Sequence, residues 1–114
     1  MTNGANPQFA INTFSLRPGV SREAFVAFSS EIDQPTLKAQ SHVISRFDVL
    51  QILGDAEGSP LGFDFIELYE IPDWHEWAQV RDESPALDTV RSTFDALVEP
   101  SSVRCSFALP LLGP

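Results

Sequence analysis

Four strand-like segments and two helical segments in the order βαββαβ predict an α+β fold of the ferredoxin-like type, an antiparallel sheet with its helices on one face. Three observations carry that expectation. Residues 62–71 alternate strictly between two faces, as a strand does. A capped helix start stands at Ser21, after the first strand, and a second at Ser84-Pro85, after the third. Strands one and two also carry apolar residues on both faces, so the sheet face away from the helices needs cover. Pairing of two copies as a dimeric α/β barrel would supply it.

Phe9–Leu16 is rich in strand formers and is broken by Arg17-Pro18-Gly19. Residues 1–8, with Asn, Gly and Pro, read as a loose leader. Ser21 offers a capping oxygen, and Val20 and Phe25 stand at hydrophobic-staple spacing. Phe25, Phe28 and Ile32 form a helical stripe. Pro35 biases Gln34 away from helical geometry, so the first helix is expected to end near Asp33. Val43–Ile52 and Gly62–Ile71 read as a hairpin around a loop at Gly54–Leu61. Phe63, Phe65, Glu67 and Tyr69 share one face of the second of these strands; Asp64, Ile66, Leu68 and Glu70 share the other. Asp73 caps a short helix with Trp74, Trp77 and Ala78 on one face. After the restart at Ser84-Pro85, Ala86, Val90, Phe94 and Leu97 form an apolar stripe that ends at Pro100. Val103–Leu109 is the fourth strand. One domain over residues 9–110 is expected, with a tail at 111–114.

The chain has 114 residues, of which 43% are hydrophobic and 20% charged, so a single packed core is within reach. Nine Phe, two Trp and one Tyr serve either a bulky core or an aromatic-lined cavity. A net charge of −9 with seven scattered Lys and Arg argues against nucleic acid and anionic membrane as partners. The single cysteine, Cys105, allows no internal disulfide and suits a reducing compartment. Met1–Gln8 has neither a basic start nor an apolar run, and a cytoplasmic location is expected.

No metal or cofactor motif is present. His42 and His75 stand far apart with no ligand spacing around them. Gly54, Gly58 and Gly62 lie between strands and do not open a helix, so a hairpin loop is expected, not a phosphate cradle. Cys105, in a strand with no His close in sequence, reads as a buried small hydrophobe.

The candidates are polar groups in apolar segments. Glu67 sits between Ile66 and Leu68; on a buried face its pKa would rise toward acid–base work at neutral pH. A solvated face, or pairing with Arg46 or Arg104, is the alternative. Asn12 stands in the apolar first strand, as a carbonyl ligand or as a partner for a neighbour. Arg46 and Asp48 point the same way, as a local ion pair or part of a site. Asp33, at the expected helix end, meets the unfavourable pole of the dipole. His75, beside Trp74 and Trp77, reads as a proton shuttle at a pocket mouth or a surface histidine.

Phe14-Ser-Leu-Arg-Pro-Gly-Val20, Glu31-x-Asp33-x-Pro35, Ile44-x-x-Phe47-x-Val49, the run from Phe63 to Ile71, and Ser84-Pro85 together resemble the RedY-like (HapK-like) family of dimeric α/β barrels over residues 9–110. The resemblance implies a role in bacterial specialised metabolism. Members accompany prodiginine pathways, and relatives in indole and carbazole pathways are cofactor-independent cyclases that close and aromatise pyrrole- or indole-bearing keto intermediates. Ala39-Gln-Ser-His42 departs from the Leu-Pro that commonly precedes the second strand in such relatives, which makes His42 and Arg46 either substrate-specific or neutral. The resulting expectation is a homodimeric, cofactor-free cyclase with Glu67 as base and Asp33 or His75 as proton donor. Asn12 would bind a carbonyl, Phe65, Tyr69 and Trp74 would form aromatic walls, and His42 and Arg46 would contact substrate. The partners would be a small aromatic substrate and an upstream biosynthetic enzyme. A cofactor-free monooxygenase sharing the barrel, and a non-catalytic binder of a labile intermediate, are the rival expectations.

Overall fold

The computed structural model describes residues 9–111; the leader at 1–8 and residues 112–114 of the tail lie outside the described residues. Strand β1 (Phe9–Phe14) leads into helix α1 (Arg22–Phe28), which runs through a π-helical turn (Ser29–Asp33) into α2 (Gln34–Lys38). The hairpin strands β2 (Arg46–Gln51) and β3 (Phe65–Glu70) follow, then α3 (Trp74–Glu83), a 3₁₀ turn (Pro85–Leu87) and α4 (Asp88–Leu97). A second 3₁₀ turn (Pro100–Ser102) leads into β4 (Arg104–Ala108). The sheet is antiparallel throughout, in the order β2-β3-β1-β4. This is the α+β, ferredoxin-like arrangement expected of the element order.

The local signals act as the residues dictate. Ser21 Oγ accepts from Ala24 N at 3.1 Å, Asp73 Oδ1 from Glu76 N at 3.2 Å, and Ser84 Oγ from Ala86 N at 3.3 Å. The strands are shorter than their apolar runs. Val43 and Ile44 are buried ahead of β2, and Gly62–Asp64 precede β3 in irregular chain held by Asp64 N donating to Phe14 O.

The expectation that the first helix ends before Pro35 is wrong. Helical geometry continues to Lys38 because the chain widens into a π turn one step ahead of the proline. Gln34 N bonds Ser29 O, five residues back. The wide turn absorbs an extra residue just ahead of a proline that has no N–H to donate. Asp33 therefore stands mid-helix and buried, not at a helix end facing the wrong pole of the dipole.

One sheet face packs under all the helices in two apolar clusters. One gathers Phe14, Phe25, Phe28, Phe65 and Val98; the other gathers Ala10, Leu37, Phe47, Tyr69, Trp77 and Leu87 among others. The opposite face carries Ile11 beside Leu68 and Ile66 beside Leu50, with no helix of the described residues over them. Phe14 is fully buried with the rings of Phe25, Phe65 and Phe94 at 5.1–6.0 Å. Phe14→Ala is expected to cost about 3–5 kcal/mol, read as a lowered midpoint in urea unfolding.

Candidate active site

Sheet register assembles the site. Asn12 on β1 stands directly opposite Glu67 on β3, with Val49 of β2 and Cys105 of β4 completing the row. That row runs between the two apolar clusters: Phe65 lies to one side of Glu67, Tyr69 to the other. The helix layer delivers Asp33 over it. A cavity of about 260 Å³ opens between sheet and helices, lined by Asn12, Asp33, Glu67 and Tyr69 with Leu37, Trp77, Leu87, Val90 and Phe94. Arg81, Asp82, Arg91, Asp95 and Val103 complete its lining.

The two acids are the buried charges of the described core, each 2% exposed. Tyr69 Oη donates to Glu67 Oε1 at 3.1 Å, and Asn12 Nδ2 donates to the same oxygen at 3.4 Å. Asp33 Oδ2 is buried without a hydrogen-bond partner among the described residues. A buried, unpaired acceptor is costly in a folded chain, and a protonated carboxyl or a bound donor relieves it. Burial pushes the Asp33 carboxyl up to about 8, with the nearby Glu67 charge adding to the push. Burial also lifts Glu67 to about 7, against the pull of its Asn12 and Tyr69 hydrogen bonds. Near neutral pH the pair thus holds a proton beside a carboxylate, an acid and a base in one apolar enclosure.

Of the candidate residues read from sequence, Glu67, Asp33, Asn12 and Tyr69 meet at this cavity. The other five do not line it. Phe65 is packed into the neighbouring cluster, 4.4 Å from the Phe25 ring. Trp74 packs on Phe107 at 4.6 Å and beneath Arg81 at 5.2 Å, and Trp77, one turn further on, takes the wall position. His75 is exposed on α3, about 100° around the helix from that face. His42 is exposed in a separate surface recess beside Glu76, Gln79 and Glu83. Arg46 is exposed on edge strand β2, ion-paired with Asp48 at 2.6 Å, and faces away from the helices. Arg81, four residues beyond Trp77, shares its helical face, a periodic signal that sequence reading passed over.

An α+β domain with a proton-holding carboxyl pair between sheet and helices is the class that fold and site define. The family model of the REDY-like protein HapK matches residues 8–107, and the chain belongs to that family. No curated protein matches the chain significantly. Among solved structures, HapK from Hahella chejuensis is similar at 17% identity and a TM-score of 0.67, over 89% of this chain and 92% of that one. The hydroxynitrile lyase of Passiflora edulis is similar at 15% identity and a TM-score of 0.64, over 95% and 99%. A dimeric protein of ferredoxin-like fold from Bacteroides fragilis is similar at 17% identity and a TM-score of 0.61, over 86% and 90%. No helix among the described residues is long and apolar enough to cross a membrane.

Raised carboxyl pKa values favour the folded state at low pH. The contribution is fully present below about pH 4 and is lost as pH rises through the values near 7 and 8. Wild-type stability is therefore expected to fall between about pH 4 and pH 8. Asp33→Asn should flatten that slope and exceed wild type above pH 8 by on the order of 2 kcal/mol, measured by urea unfolding across the pH series.

Proposed function

We propose that the chain is a cofactor-independent cyclase that promotes ring closure and dehydrative aromatisation of a reactive indole- or pyrrole-bearing keto intermediate in bacterial natural-product biosynthesis. The observation that carries this reading is the buried Asp33–Glu67 pair inside an apolar-walled cavity. Membership of the HapK family supports it. A structural neighbour named as a hydroxynitrile lyase supports an enzymatic use of this fold.

Glu67, as the carboxylate, takes a proton from the carbon beside a carbonyl. The freed C–H electron pair becomes the enol double bond, and the carbonyl oxygen takes the proton of Asp33. The enol carbon then attacks a second carbonyl carbon. The enol proton returns to Asp33, and the new hydroxyl takes the proton held by Glu67. Dehydration follows when Glu67 removes the adjacent C–H proton, the C–O bond breaks, and Asp33 protonates the departing oxygen. Proton transfer from Glu67 to Asp33 restores the pair. Trp77, Phe94 and Leu37 would hold the substrate folded and keep water out.

A second copy of the chain is the proposed cover for the Ile11–Leu68 and Ile66–Leu50 face, in line with a structural neighbour that is dimeric. The cytoplasm, and supply of the substrate by an upstream biosynthetic enzyme, complete the proposal. Light scattering is expected to give a dimer mass for wild type and a monomer mass for Leu68→Glu; a monomeric wild type at micromolar concentration overturns the pairing.

The activity is tested with an enzymatically generated indole or pyrrole keto intermediate, in air and without oxygen, with products read by mass spectrometry. Wild type is expected to give the dehydrated ring in both atmospheres. Glu67→Gln is expected to lose about 10²–10⁴-fold in rate. A mass gain that needs oxygen points to monooxygenation, and tight binding without turnover points to a carrier; either outcome overturns the cyclase.

A further inference from the structure

We propose that Tyr69 and Asn12 are positioning residues that decide which carboxyl of the pair is the base, holding the negative charge on Glu67 and leaving the proton on Asp33. The inference rests on the acid–base reading above and deepens it by assigning the proton. Both donors converge on one oxygen, Glu67 Oε1, at 3.1 and 3.4 Å. Glu67 Oε2 is thereby left for proton transfer. Asp33 Oδ2, also buried, receives no donor among the described residues. Hydrogen bonds to an ionised carboxylate favour ionisation, so unequal donation splits two acids that burial alone would treat alike.

The donors are fixed by the fold. Asn12 is the direct cross-strand partner of Glu67, and Tyr69 lies two residues along the same face of β3. The Tyr69 ring packs between Phe47 at 4.7 Å and Trp77 at 5.9 Å, which sets the direction of its hydroxyl. Burial, then the charges of Glu67 and Asp33, hold the phenol well above its ordinary pKa, so it donates throughout the range in which the pair titrates.

Charged and titratable groups around the pair come from every neighbouring element: Tyr69, Cys105, Arg81, Asp82, Arg91 and Asp95. Arg81 is tied to Asp82 at 2.8 and 3.1 Å, and Arg91 to Asp88 and the Arg81 and Ser84 carbonyls. Cys105 is exposed on β4, not buried as its strand setting predicts, and partial desolvation pushes its thiol pKa upward. Neither arginine donates to either acid, so Tyr69 and Asn12 are the donors that separate them.

The test follows the side-chain carboxyl carbons of Asp33 and Glu67 by ¹³C NMR across pH, in wild type, Tyr69→Phe and Asn12→Leu, without substrate. In wild type Glu67 is expected to ionise at the lower pH. Tyr69→Phe should raise the Glu67 midpoint by about one pH unit, and Asn12→Leu by less. A shift in either folded variant, with Glu67 first in wild type, supports the assignment. Asp33 ionising first in wild type, or a Glu67 midpoint unmoved in both variants, overturns it. The titration needs no turnover, so its failure is separable from failure of the cyclase assay.

Discussion

Two carboxyl groups enclosed together in a medium that solvates charge poorly cannot both be ionised at modest cost. The architecture around Asp33 and Glu67 follows from that constraint. Helix-facing side chains come to the sheet in rows, and the central row, Val49–Glu67–Asn12–Cys105, sets polar groups between rows dominated by rings. The rows on either side are filled by rings, Phe65 and Phe14 in one direction and Tyr69 and Phe47 in the other. These rings exclude water from the polar row and so maintain the condition that keeps a proton there.

The same rings explain why the cavity opens where it does. Large side chains over a tightly paired sheet leave little space above Phe65, where Phe25 stacks at 4.4 Å. Above Glu67 and Asn12 the helix layer sets Asp33, Leu37, Leu87 and Val90 and the rings of Trp77 and Phe94 around a space that they line without filling. Two arginines border it, each already held by an acid or by backbone carbonyls. Positive charge is therefore present at the rim but committed elsewhere, and the interior field is set by the acids and their two neutral donors.

Much of this was legible in the order of residues. Period-2 alternation from Phe63 to Glu70 assigned Glu67 and Tyr69 to one face, and that face is the buried one. Asn12 was conspicuous as an amide in an apolar strand. Two kinds of information were not legible. Strand pairing register is a long-range property, so Asn12 opposite Glu67 had no local signature. Helix rotation was the other. Trp74 and Trp77 share one face of α3, and only packing decides that Trp77 meets the cavity while Trp74 leans on Phe107. His75, His42 and Arg46 drew attention by chemical type, and all three lie exposed, away from the cavity. Pro35 misled for a local reason: its bias against regular helix is real, but a widened turn satisfies it without ending the helix.

That widened turn gives the acid an unusual genetic address. An ordinary α-helix advances about 100° per residue, and the π turn holds one residue more than such a helix would seat. Asp33 and Leu37 face inward because the surplus residue is absorbed within the Ser29–Asp33 turn. Wound as a regular α-helix, the same residues would carry Asp33 round by one residue's rotation, about 100°, and away from Glu67. Loss of one codon in the Ser29–Glu31 stretch would remove only the surplus residue and leave Asp33 facing inward, so a buried acid seated by a widened turn can survive a change in chain length.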